Sequence, residues 1–278
     1  MKLLDLNTHS WIEVEQERKL QELIDFILAG DYDLITLQEV NQTMTAPLWE
    51  PDAYFCPVAK QRSIKEDNFA RLLVEGLRQA GKAYYWAWAD AHIGFDRYDE
   101  GVAILSKEPM QPEAYWVSAI QDRTDYHTRV LLRAQTHIGE RALQVASGHF
   151  SWWDPDSDIS FGYEWKKTET ILRGHAELPL ILMGDFNNPA GKRQEGYDLI
   201  VASDLKLQDA FLVAKEKEGE FTVEKAIDGW EGNVDQLRID LAFLSQDFVV
   251  DSYRVVLDGQ RGPVVSDHFG LEIIAHWA

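Results

Sequence analysis

Two β-sheets packed face to face, with helices on the outside, is the architecture the sequence predicts, an α/β fold of the α+β kind. Three observations lead there. Short β-rich runs recur along the whole chain, several of them nearly continuous in apolar residues, as in strands covered on both faces. Helix-period segments lie between the earlier runs. The late runs are joined by turns rather than helices, which disfavours a single doubly wound sheet.

Taken in order, the first helical segment carries Leu20, Leu23, Ile24, Ile27 and Leu28 in helical step and closes at Gly30. LITLQEV from Leu34 reads as a strand. A second helix sets Phe69, Leu72, Leu73, Gly76 and Leu77 in step and closes at Gly81. The strands GVAILS from Gly101, RVLLRAQTHI from Arg129 and LQVASGHF from Leu143 come next. A third helix, with Phe161, Trp165, Thr168 and Leu172 in register, precedes the strand PLILMGDF from Pro179. IDLAFLS from Ile239 and LEIIAHW from Leu271 complete the set. No low-complexity tract, solenoid repeat or long Pro/Gly/Ser linker interrupts the chain, so residues 1–278 read as one domain.

Charge narrows the partners. With 27 basic against 47 acidic side chains the net charge is −20, and such a surface repels phosphate polyanions unless cations or a local basic patch reverse the potential. General nucleic-acid binding is disfavoured. Cys56 has no partner for a disulfide and reads as a small core residue in a reducing compartment. The opening MKLLDLNTHSW lacks the apolar stretch of a signal peptide, and no apolar run reaches the roughly 18 residues of a membrane span. The expectation is a cytoplasmic protein with no membrane contact and no evident protein partner.

The informative polar residues end the apolar strands. Gln38 and Glu39 interrupt LITLQEV, and a buried carboxylate is costly unless paired or bound to a cation, so Glu39 has the character of a hard-metal ligand. In LILMGDFNNP the apolar run stops at Gly184, and Asp185, Asn187 and Asn188 come before Pro189. VVSDHFGL sets Asp267 beside His268, a carboxylate and an imidazole suited to a metal and a proton transfer.

In their order, LLDLNTH, LQEV, EGVAILSK, SGHF, MGDFNNP, RIDLAFLS and SDH resemble the endonuclease/exonuclease/phosphatase superfamily, from Asn7 to His268. The resemblance implies a four-layer, DNase I-like α/β sandwich of two mainly antiparallel sheets, and metal-dependent hydrolysis of a phosphate ester. It makes Glu39 the principal Mg²⁺ or Mn²⁺ ligand, with Asn7 and Asp267 in or near the metal shell. Asp185 and Asn187 would orient the attacking water and hold the phosphoryl group. His268, oriented by Asp240, would contact the phosphate. His149 is similar to the histidine that protonates the leaving oxygen, and Glu100 to its carboxylate partner. The chemistry is consistent, since phosphoryl transfer needs neutralised charge and a positioned water more than a covalent nucleophile, and no Ser or Cys nucleophile motif is present. A carboxylate behind each histidine would fix its tautomer and raise its pKa. His9 stands two residues after Asn7, where some relatives carry a carboxylate; it reads as a substrate or outer-shell contact, and the departure leaves the binding of a second metal open. His92, His127, His137, His175 and His276 match no motif and read as structural or surface residues.

The segment after His149, SWWDPDSDISFGYEW, is the best guide to substrate. Aromatic rings interleaved with carboxylates, and no cation before Lys166, suit a neutral polyol: rings stack on the sugar and carboxylates accept its hydroxyls. Trp152 and Trp153 are the candidates, with Trp165 read as core. NTHSW and SGHFSWW are also similar to a bacterial branch of the superfamily that dephosphorylates maltose 6′-phosphate. The substrate expected is therefore a small phosphorylated sugar, gripped by Arg129 or by Arg62 or Lys65. A nuclease of the same fold, a lipid or inositol phosphoesterase, and an inactive binding module are the alternatives.

Overall fold

In the computed structural model, which describes residues 1–278, thirteen strands form a seven-stranded and a six-stranded sheet. The first half of the chain runs β1 (Lys2–Asn7), α1 (Gln16–Gly30), β2 (Leu34–Thr43), α2 (Phe69–Gln79), β3 (Tyr85–Gly94), β4 (Tyr98–Ser106), β5 (Gln111–Trp116) and β6 (Val130–Ile138). The second half continues with β7 (Arg141–His149), α3 (Phe161–Arg173), β8 (Leu180–Asp185), α4 (Gly196–Val201), β9 (Gln208–Asp209), α5 (Ala210–Val213), β10 (Glu216–Glu218), β11 (Asp240–Leu244), β12 (Phe248–Val256) and β13 (Gly270–Trp277).

One sheet has the order β10-β12-β13-β1-β2-β4-β3, the other β5-β6-β7-β8-β11-β9. Antiparallel pairs dominate. The exceptions are β1 with β2, β7 with β8, and β10 with β12, and the first two pairs are joined through α1 and α3, as parallel neighbours require a crossover.

Three apolar clusters make four layers. Between the sheets Leu3, Leu34, Ile104, Val145, Ile181, Met183 and Leu271 interdigitate. Leu23 and Ile27 of α1 and Leu73 and Leu77 of α2 pack on Trp86 and Trp88 of the larger sheet. Phe161 and Leu172 of α3 and Ile200 of α4 cover Leu182 and Phe243 of the smaller one. The two-sheet sandwich with outer helices expected from the sequence is the fold found. All three expected helices are present, and α2 starts where the Asn68 side chain accepts from the Arg71 amide, a cap worth about 1 kcal/mol. No helix is long and apolar enough to cross a membrane. Cys56 lies partly buried at the edge of the inter-sheet core.

The crossover pair β7 and β8 fixes the geometry at the polar end of the sandwich. Its register sets Gly148 beside Gly184 and His149 beside Asp185. A Cβ on Gly184 would come within 2.1 Å of the Gly148 carbonyl oxygen, so only glycine lets these backbones approach as they do.

Candidate active site

Both sheets deliver polar residues to one end of the sandwich. β1 ends at Asn7, β7 at His149 and β8 at Asp185; β11 begins at Asp240 opposite Asp185, and Asp267 and His268 immediately precede β13. Glu39 joins them through an irregularity. The β2–β4 register shifts between Leu37 and Val40, and Glu39 takes a left-handed backbone with φ 50°. Gln38 is thereby turned between the sheets, donating to Asp5 at 2.9 Å and Ser147 at 3.1 Å, while Glu39 faces the cleft. His9 and Asn187 are also left-handed, with φ 43° and 50°. Such backbone costs a non-glycine residue about 1–3 kcal/mol each and concentrates at functional sites.

Of these residues, Glu39, His149, Asp185, Asn187 and His268 line a cleft of about 210 Å³ together with His92, Glu100, Arg129, Trp152 and Asp228, while Asn7, His9, Asp240 and Asp267 stand outside its lining. Asn7 ties the two sheets' carboxylates together, its amide nitrogen donating to Glu39 Oε1 at 2.8 Å and Asp185 Oδ2 at 3.0 Å. Its amide oxygen accepts from the His9 backbone at 3.1 Å. Asn7 therefore positions the acids and does not turn an oxygen toward them.

Burial, and then repulsion by Glu100, pushes Glu39 from 4.5 up to about 8. Burial, and then Asp240, pushes Asp185 from 3.8 up to about 7. Carboxylates of this kind are hard oxygen donors, and a divalent cation at Glu39 and Asp185, whose oxygens lie within 4.8 Å of one another and of a His149 nitrogen, would stabilise their charged forms. The donor set fits a hard metal ion. Asp267 instead groups with His9 and Glu13, its carboxylate 3.6 Å from His9 Nδ1. His9 itself is clamped by Glu13 at 2.7 Å. Burial works to lower His9, but Glu13, Glu39 and Asp267 outweigh it and lift the imidazole from 6.5 to about 9. Glu13, beyond the expected motif, is thus the partner of His9, and its other oxygen accepts from Lys19.

The two site histidines are driven apart. His268 Nδ1 is 2.9 Å from Asp240; burial opposes charge there, yet the buried carboxylate wins and holds the imidazole protonated well above its usual range. His149 is the reverse. Burial, then Arg129 and His92, press it well below its usual range. Hydrogen bonding independently fixes its tautomer. Trp230 Nε1, which can only donate, is 2.8 Å from Asn187 Oδ1. That orients the amide, so Asn187 Nδ2 donates to Phe150 O at 3.0 Å and toward His149 Nε2 at 3.2 Å. His149 Nε2 is an acceptor.

The expectation of a carboxylate behind each histidine needs correction. Glu100 does line the cleft, but its partner is His92, with Oε1 3.2 Å from Nε2. The cause is a second register shift, between Asp90 and His92, that sets His92 opposite Glu100 in the β3–β4 pair. Burial opposes ionisation of Glu100, and His92 outweighs it. His92, which matches no motif, is thus a buried part of the cleft wall.

The neighbouring tryptophans separate. Trp152 lines the cleft against Gly229, where any Cβ would come within 2.3 Å of the ring. Trp153 packs against the outer core beside Gly162 of α3, away from it. Trp165 is core, as expected. Arg129 lines the cleft; Arg62 instead pairs with Asp99 at 2.8 Å, and Lys65 belongs to a bridge with Leu48. Asp228, Gly229 and Trp230, in the loop before β11, lie outside the expected motifs. Their one sequence signal is a tryptophan in an otherwise polar loop.

The model of the Endonuclease/Exonuclease/phosphatase family matches residues 14–268. Among solved structures, an endonuclease/exonuclease/phosphatase family protein from Leptotrichia buccalis C-1013-b superposes with TM-score 0.85 at 29% identity, covering 99% of each chain. A mannosyl-6-phosphatase from Bacteroides thetaiotaomicron VPI-5482 gives 0.67 at 16% identity, again over 99% of each. D. rerio TDP2, complexed with single-strand DNA product, gives 0.63 at 15% identity over 99% of this chain and 98% of that one. No curated protein sequence matches. The last two likenesses show the fold alone.

Proposed function

Because the chain belongs to the endonuclease/exonuclease/phosphatase family, we propose that it is a metal-dependent phosphomonoesterase of a small phosphorylated sugar, maltose 6′-phosphate or a related disaccharide phosphate. The observation that carries this reading is the make-up of the cleft. Its lining holds a single Arg or Lys, Arg129, among Glu39, Glu100, Asp185 and Asp228, with Trp152 and Tyr126 as ring surfaces. A nucleic acid needs a cationic track for its backbone, whereas a sugar needs rings and hydroxyl acceptors. At about 210 Å³ the cleft falls below the ~300 Å³ where drug-sized pockets begin, which favours a small group. Lone Cys56 and the acidic composition suit a reducing cytoplasm.

Glu39 and Asp185 are the residues to hold Mg²⁺ or Mn²⁺, whose charge when bound would neutralise that developing on the phosphoryl oxygens. The chain does the rest. Asp185, fixed by the Asn187 amide at 2.8 Å, and Asn187 orient the attacking water. Charged His268 donates to a phosphoryl oxygen and is kept charged by Asp240. His149 is pressed toward its neutral form, with Nε2 unprotonated and accepting from Asn187, so it must take up a proton from solvent before it can donate one to the departing sugar oxygen. This refines the expected role of a leaving-group acid. Pairs of titratable groups pushed in opposite directions are how acid and base are assigned in one cleft.

The decisive measurement is phosphate release from phosphorylated mono- and disaccharides with Mg²⁺, run beside plasmid and single-strand DNA cleavage. Sugar-phosphate turnover is expected. Rapid DNA cleavage without it would replace this reading with a nuclease.

A further inference from the structure

Three arginines are buried, Arg129, Arg133 and Arg238. Two have their charge met. Arg133 reaches Glu113 at 2.5 Å and Gln144 at 2.9 Å, and Arg238 holds both oxygens of Asp209 at 2.9 and 3.1 Å. Arg129 is different. It is 3% exposed, its Nε donates to Ser151 Oγ at 3.3 Å, and it makes no ion pair. The nearby carboxylates make no ion pair with it, although against burial its charge works to lower the pKa of both: Glu100 pairs with His92 at 3.2 Å, and Glu164 accepts from the Ser151 amide at 2.8 Å. The two terminal amino groups of the guanidinium have no acceptor in the protein, and the residue lines the cleft.

A buried cation with unmet donors is destabilising unless a ligand completes it. Its position says which ligand. Arg129 stands beside His149 on the wall that continues to His92 and Glu100, and behind that wall is a space of only about 10 Å³, at most one water. Its ring neighbour is Trp152, 5.9 Å from the guanidinium carbon.

We propose that Arg129 is a phosphate-dianion clamp, which fastens two non-bridging oxygens of the substrate and so selects phosphate monoesters over diesters. The inference rests on the phosphoesterase reading above and deepens it. A planar guanidinium offers paired donors that match two oxygens of one phosphate. A monoester dianion has three non-bridging oxygens, two for the fork and one for His268. A diester has two and one charge fewer, and its second ester group would have to enter the closed wall behind Arg129.

The test uses the full chain loaded with Mg²⁺, with Arg129→Met and Arg129→Lys as variants. Inorganic phosphate is titrated by calorimetry, and kcat/KM is measured for glucose 6-phosphate, maltose 6′-phosphate and bis(p-nitrophenyl) phosphate. Loss of charge-assisted hydrogen bonds predicts phosphate binding weaker by about 10- to 100-fold in Arg129→Met and by less in Arg129→Lys, which restores charge without the fork. The monoester-to-diester ratio of kcat/KM should fall by about tenfold or more. The Tm of the phosphate-free protein should fall little in Arg129→Met, because the lost cation makes no ion pair and only one long hydrogen bond, to Ser151 at 3.3 Å. Phosphate binding undiminished in both variants would overturn the clamp, as would equal losses on monoester and diester. Arg129-dependent phosphate binding with no turnover of either sugar phosphate would leave the clamp standing and reject the sugar reading.

Discussion

The Trp230 indole donates to the Asn187 amide oxygen at 2.8 Å, and this one bond decides which way the amide points at His149. Removing it frees the amide to flip and to offer oxygen where nitrogen now donates.

Trp230→Phe keeps the ring and deletes the donor. A hydrogen bond of this kind contributes about 1–2 kcal/mol to an oriented site, so kcat should fall about 5- to 30-fold with KM little changed. Steady-state kinetics on the best sugar phosphate decide it, and an unaltered kcat would show that Asn187 is oriented without the indole.

Cation binding should be coupled to pH. Glu39 and Asp185 are raised to about 8 and about 7, so the folded chain holds protons that the unfolded chain releases near pH 4. Their contribution to stability is therefore fullest at low pH and is lost as pH rises from about 4 to about 8. A divalent cation offsets that loss. The gain in Tm on adding Mg²⁺ over EDTA should grow from pH 5 to pH 8, and in Glu39→Gln most of this growth should vanish while the EDTA form becomes more stable at pH 8. A gain independent of pH would mean that the cation sits elsewhere.

Asp240→Asn leaves shape and removes the charge behind His268, 2.9 Å away. Proton-transfer partners contribute about 10²- to 10⁴-fold, and a loss in that range is expected, with the alkaline limb of kcat/KM moved to lower pH. The sign for stability comes from a raised imidazole pKa: the pair stabilises below the unfolded value near 6.5 and fades as pH climbs through the folded one. Urea unfolding should find Asp240→Asn most costly near pH 6 and progressively less so at higher pH.

Trp152 and Trp153 should part company when each is changed to Ala. The first should raise KM for the sugar phosphate about 5- to 20-fold through lost ring contact. The second should leave KM alone and lower Tm, since its ring covers the outer core. A KM effect from Trp153 would place the sugar on the outer face of the segment.

Much of the site is legible in the sequence because the strand ends announce themselves. Asp185, His149 and His268 each terminate or precede an apolar run, and a one-dimensional pattern suffices to see a polar residue break a buried strand. β5 and β12 escape such a pattern. In β5, Pro112 and exposed Gln111 and Glu113 mark an edge strand without a buried run, while β12 alternates polar Asp251 and Arg254 with its core residues. The partner of Glu100 is invisible in the sequence, because a bulge in β3 chooses His92 over His149 and a bulge leaves no mark in spacing. Trp230 is out of reach for a similar reason: its contact with Asn187 spans 43 positions through a loop of no regular period.

The in-register pairing of His149 with Asp185 is made by backbone alone, at a glycine contact that tolerates no side chain. The reacting groups are thus anchored in the sheets, whereas Trp152, Asp228 and Gly229 come from two loops, the one between β7 and α3 and the one before β11. An ancestor of this chain could exchange either loop and acquire a new customer while its hydrolytic machinery stayed where it was. The same division recommends those two loops, and not the strand ends, as the place to randomise when a different phosphate ester is wanted.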